Sequence, residues 1–226
     1  MERPTERPAE RRIVVVGASW GGLSALGRLV AGLPADFPFP VAVIQHRSRD
    51  AGNLLAELLQ DSAALHVCEV EDKDPIEPGQ VYVAPPDYHL LVDGPYFSLT
   101  VDPHVRYSRP SIDVTFTSAA ASWAAQAVGV VLTGANEDGA LGLRRIVERG
   151  GTAVVQDPAT AEIPTMPAAA RALVPTARVL PVEEIPDFLL SLAGREPVAN
   201  TPADPRAAAR GAGRAGTRPS LRRGAP

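Results

Sequence analysis

The sequence predicts a doubly wound α/β fold: a mostly parallel sheet, helices on both faces and a β-hairpin insertion. Two observations carry this. The apolar runs at residues 13–16, 41–45, 128–133 and 152–156 are continuous rather than alternating, as in strands buried on both faces. Between them lie stretches with apolar residues at helical spacing, so strand and helix alternate along the chain.

In chain order, Ile13-Val14-Val15-Val16 runs into Gly17-Ala18-Ser19-Trp20-Gly21-Gly22, and Leu23, Leu26, Leu29 and Val30 follow at helical spacing. That is a strand, a glycine turn and a helix. The strand at 41–45 ends at His46-Arg47. Residues 53–60 suit a helix, 65–70 a third strand and 81–84 a fourth. Asp93-Gly94 joins 89–92 to 96–101 as a hairpin. Ser111 is placed to cap a helix with Ile112, Phe116, Ala119 and Trp123 on one face. After the strand at 128–133, residues 138–148 are helical and stop at Gly150-Gly151. A strand at 152–156, a short helix at 167–173, a strand at 177–180 and a helix at 182–192 complete a domain expected over 12–194.

Charge is uneven. The 226 residues carry −4 in all, zero over 1–11 and +5 over 195–226, which leaves −9 on the predicted domain. A body this acidic argues against a nucleic-acid surface. Residues 1–11 read as a charged extension, and 195–226, rich in Arg, Ala, Pro and Gly, as a disordered tail. The single cysteine, Cys68, forms no intrachain disulfide, and no Cys/His cluster has metal-ligand spacing. The N-terminus lacks the apolar core of a signal peptide and no apolar run approaches 18 residues, so a cytoplasmic protein without membrane insertion is expected. Lys73 is the sole lysine, which rules out a Gly-Lys-Ser/Thr phosphate loop.

The chemistry concentrates at predicted strand ends, where sites form in such sheets. Gly17-Ala18-Ser19-Trp20-Gly21 has the Gly-x-Ser-x-Gly spacing of a nucleophile elbow. Gly17, Ser19 and Gly22 also occupy the three positions of a dinucleotide-binding turn, so a nucleotide-binding oxidoreductase stays open. His46 follows the second strand, and Asn136-Glu137-Asp138 follows the strand at 128–133. Acyl transfer by serine needs a base and a carboxylate to orient it, and these three strand ends offer one of each. Asp138 is equally placed to cap its own helix. His66, His89 and His104 compete with His46 but are placed less well.

These motifs resemble the catalytic domain of CheB, the chemotaxis receptor methylesterase, over roughly residues 12–193. The matching segments are Gly17-Ala18-Ser19-Trp20-Gly21-Gly22, Val43-Ile44-Gln45-His46, residues 83–91, Arg109-Pro110-Ser111-Ile112-Asp113, Val131-Leu132-Thr133-Gly134, Glu137-Asp138-Gly139-Ala140 and Met166-Pro167. The resemblance implies a Ser19–His46–Asp138 triad without metal or organic cofactor. It implies hydrolysis of glutamyl methyl esters on the cytoplasmic helices of methylated chemoreceptors, and deamidation of receptor glutamines. Around the oxyanion and substrate we expect Trp20, Ala135, Arg109 and Met166, while Arg106 and Arg109 either contact acidic receptor helices or are simply solvated. The sequence departs from the family pattern at Trp20, where a small residue is usual, at Ala135, where Met is common, and at Arg47-Ser48. No receiver domain precedes residue 12, so a stand-alone form with a separate regulator is expected. A regulatory or binding module with Trp20 filling the cleft is the other open alternative.

Overall fold

A computed structural model describes residues 11–47 and 54–195. The charged extension and the basic tail, apart from Arg11 and Arg195, lie outside them, as does Asn53 at the expected start of the second helix. The strands are β1 (Ile13–Ala18), β2 (Val41–Gln45), β3 (His66–Glu69), β4 (Gln80–Val83), β5 (His89–Asp93), β6 (Tyr96–Thr100), β7 (Ala127–Val131), β8 (Thr152–Gln156) and β9 (Arg178–Leu180). The helices are α1 (Gly22–Ala31), α2 (Leu54–Gln60), α3 (Ile112–Trp123), α4 (Ala140–Glu148), α5 (Thr165–Leu173) and α6 (Ile185–Leu192). Seven strands form one wholly parallel sheet in the order β3-β4-β2-β1-β7-β8-β9, and β5 and β6 pair as a separate antiparallel hairpin.

Because side chains alternate across a strand, each buried strand feeds two cores. Val14, Val16 and Val43 join Leu26, Leu29, Leu59 and Leu189 beneath α1, α2 and α6. Ile13, Val15 and Ile44 join Phe116, Leu143 and Ile146 beneath α3 and α4, with Leu90, Val92 and Phe97 of the hairpin. The helix expected over 182–192 divides into a 3-10 turn (Val182–Glu184) and α6, with Pro186 in the first turn of α6. That is the helix position proline tolerates.

The connections from β1 run to β2 on one side, and those from β7 to β8 on the other. The switch point therefore falls between β1 and β7, and a crevice opens beyond their carboxyl ends.

Candidate active site

Parallel register sets the first distance of the site. Ala18 lies opposite Gln45, so Ser19 and His46 come next on adjacent strands. The ladder continues one step further, with the His46 N–H donating to the Ala18 carbonyl at 3.2 Å. The Ser19 backbone is fully engaged: its N–H donates to the Thr133 carbonyl at 2.9 Å, and its carbonyl accepts from Gly22 N–H (2.9 Å) and Gln45 Nε2 (2.7 Å). Thr133 Oγ1 donates to the Trp20 carbonyl at 2.9 Å. The turn differs from a strained nucleophile elbow in one respect: Gly21, not Ser19, takes the left-handed conformation, at φ 75°. Its α carbon also lies against Glu162, where a Cβ would collide.

The His46 ring bridges β1 and β7. Nδ1 lies 3.1 Å from Ser19 Oγ and Nε2 lies 2.8 Å from Asp138 Oδ2. An ionised carboxylate only accepts, so Nε2 carries the proton and Nδ1 presents a lone pair to the serine hydroxyl. The two ring nitrogens have exchanged the roles they hold in the serine-protease template.

Asp138 is completely buried. Besides His46 it accepts from Ile112 N–H (2.7 Å), Asp113 N–H (3.0 Å), Ser111 Oγ (3.0 Å) and Gly139 N–H (3.1 Å). Burial alone would raise its pKa. The hydrogen bonds from His46, Ile112 and Asp113 overcome this and hold the carboxyl below its ordinary value. One expectation is extended here and one corrected. Asp138 caps α3 through Ile112 and Asp113 besides taking the Gly139 N–H at the start of its own helix, and the Ser111 hydroxyl serves Asp138 instead of the α3 backbone. In return Asp113, in the first turn of α3, accepts from Gly139 N–H (3.0 Å) and Gly142 N–H (2.7 Å) at the start of α4. The two helices have exchanged their capping carboxylates. Burial pushes Asp113 up, and the charge of Asp138 adds to this against the Gly142 N–H and Arg106.

Around Ser19 the backbone offers donors. Among the described residues no hydrogen bond takes up the Trp20 or Ala135 N–H. Helix α1 begins at Gly22 without a side-chain cap, so its positive end faces the same turn. Gly134 packs against Ser19: a Cβ there would come 2.9 Å from Ser19 Cβ and 2.6 Å from Met166 Cε. A cleft of about 420 Å³ opens beside His46, lined also by Tyr107, Arg109 and Pro110. No group of three His, Cys, Asp or Glu among the described residues is placed to hold a metal.

The CheB methylesterase family model matches residues 14–189. The chain belongs to the CheB methylesterase family. A crystal structure of the Thermotoga maritima CheB methylesterase catalytic domain superposes with a TM-score of 0.78 at 34% identity, covering 81% of this chain and 99% of that one. A Leptospira interrogans protein, provisionally named protein-glutamate methylesterase/protein-glutamine glutaminase, is 41% identical over 79% of this chain and 93% of its own length. An Anaeromyxobacter dehalogenans protein named for the same two activities is 42% identical over 82% of this chain, which spans only 54% of that relative. Membership in a family of esterases removes the ground for the oxidoreductase reading of Gly17, Ser19 and Gly22.

Within this CheB domain the remaining expected residues divide. Trp20 does not fill the cleft: its side chain is 67% exposed. Arg109 lines the cleft but is already engaged: it pairs with Asp87 at 2.6 Å and donates to the Val101 and Asp102 carbonyls. Met166 is fully buried. Its N–H donates to the Gly134 carbonyl and its thioether packs on Gly134, so it braces the loop beside Ser19. His89 is a structural histidine, buried between Ser111 N–H and the Pro103 carbonyl. His104 is exposed on the cleft, and His66 is exposed on β3. Gln45 and Asp113 were seen only as parts of matching motifs, and Ser111 only as a motif residue and helix cap. The signal for their roles was the polar residue itself, set next to a predicted strand end or helix start.

Proposed function

We propose that this chain is a serine esterase that hydrolyses glutamyl methyl esters on the cytoplasmic helices of methylated chemoreceptors, releasing methanol. The observation that supports this most is the unbroken series Ser19 Oγ–His46–Asp138, with the carboxylate buried and the histidine at the edge of a cleft. His46 Nδ1 takes the hydroxyl proton as Ser19 Oγ attacks the ester carbonyl. The developing oxyanion is held by backbone N–H groups, with Trp20 first and Ala135 second. Methanol leaves with the proton from Nδ1. Water, deprotonated by the same nitrogen, then cleaves the glutamyl–Ser19 ester and leaves a glutamate. Asp138 keeps the ring in its tautomer and stabilises the imidazolium. A receptor glutamine enters the same route, with ammonia as the leaving group. The scheme balances with water as the only co-reactant, without metal or organic cofactor. Its setting is the cytoplasm, where the partner is a receptor helix rather than nucleic acid.

Methanol release from membranes carrying methylated receptor tests this, with wild type beside Ser19→Ala. Turnover by wild type and a loss of about 10³-fold or more in the variant are expected. A folded wild type that releases no methanol from any methylated receptor would sink the reading.

A further inference from the structure

The chain between the hairpin and α3 holds a turn whose residues contradict its geometry. Val105 and Ser108 exchange two backbone hydrogen bonds, at 3.1 and 2.9 Å, which closes a two-residue turn. Its central residues, Arg106 and Tyr107, both have positive φ, at 48° and 64°. A turn with two left-handed residues is normally built from Asn-Gly, because other side chains are disfavoured there. Arg106 has a local reason for its position: Nε lies 3.4 Å from Asp113 Oδ2 and Nη1 lies 3.5 Å from Glu137 Oε2. Tyr107 has none. Its side chain is fully exposed and makes no hydrogen bond or ring contact among the described residues. It lines the same cleft as His46.

An aromatic ring held in a disfavoured backbone conformation, at the cleft beside His46, gains no contact of its own among the described residues. Strain of this kind persists where the surroundings fix it and concentrates at functional positions. Arg106 supplies the fixing, through the same Asp113 that holds the start of α4. On the other side of His46 a second exposed apolar patch is made by Leu23, Leu54 and Leu58. A small ester would need neither lip. A helix, about 10–12 Å across with its side chains, carries apolar side chains on the faces flanking a glutamyl ester, which is what such lips can take up.

We propose that Tyr107 is a specificity residue of the esterase, packing against the apolar face of the helix that carries the scissile glutamyl ester. This rests on the esterase reading above. The test compares kcat/KM on methylated receptor membranes with kcat/KM on a blocked glutamate γ-methyl ester, for wild type, Tyr107→Gly and Tyr107→Phe. Glycine suits the left-handed position, so the Tyr107→Gly Tm is expected to hold or rise. Its ratio of receptor to small-ester kcat/KM should fall tenfold or more, through KM, and Tyr107→Phe should restore most of it. An equal loss on both substrates, or no loss on the receptor, overturns the role of Tyr107 and leaves the esterase standing. A wild type inactive on both substrates overturns the esterase reading and this one with it.

Discussion

Asp138 and Ser19 stand at the two ends of one hydrogen-bonded series, in opposite surroundings. The carboxylate is sealed beneath the surface, and four donors besides His46 hold it. The serine is half-buried and fixed through its backbone, while among the described residues its hydroxyl meets only His46. One end is built into the fold, and the other is mounted on it. Changes at Ser19 should therefore alter chemistry alone, whereas changes at Asp138 should alter chemistry and stability together.

Asp138→Asn is the strongest way to break this contrast. The amide NH₂ would face N–H groups that now donate to a carboxylate oxygen. We expect kcat to fall by about 10³–10⁴-fold and unfolding to become easier by on the order of 3 kcal/mol. Ser19→Ala should stay within about 0.5 kcal/mol of wild type. Urea midpoints that match for all three proteins would show that the buried end is not part of the fold's foundation.

Gly134→Ala probes the junction between the two ends. The new methyl meets Met166 and Ser19, so overpacking of about 1–3 kcal/mol is expected. Steady-state kinetics should show a lower kcat, because the loop beside Ser19 must move.

The smallest effects come from Asp113. Asp113→Ala leaves Gly139 and Gly142 N–H without their acceptor and should cost about 1–2 kcal/mol. Asp113→Asn keeps an acceptor oxygen and should recover most of that. Acid pH separates the two carboxylates by sign. Asp138 is lowered below 3.8, so the native chain binds fewer protons there than the unfolded chain. Its contribution is complete above that value and is lost as pH falls through the lowered pKa. Asp113 is raised above 3.8, so the native chain keeps its proton longer, and stability falls as pH rises through that window. Urea midpoints from about pH 3 to about pH 6 should show Asp138→Asn flattening the acid-side loss and Asp113→Asn flattening the opposite change above it.

The sheet was legible because burial on both faces leaves unbroken apolar runs, and the edges of 13–16 and 128–133 shifted by only one or two residues, to Ile13–Ala18 and Ala127–Val131. Ser19 and His46 were legible because each directly follows such a run. The underside of the site was not. Nothing near Ser111 in sequence marks Asp138 as its partner, since the two meet only when α3 and α4 pack side by side. Arg109 looked like an exposed cation because its ion pair with Asp87 depends on how the hairpin returns to the domain. Met166, in the first turn of α5, is sealed in and Trp20, in the turn before α1, is left out, because both sit at the edges of elements where apolar periodicity gives no guide to burial.

The exchange of capping carboxylates between α3 and α4 has a consequence for descent. A lineage that no longer needs the reaction can replace Ser19 or His46 at little risk to folding. Losing Asp138 would leave the start of α3 without its anchor, so selection for a foldable chain should retain it after catalysis has gone. Inactive descendants of this domain should therefore be recognisable by an aspartate that has outlived its histidine.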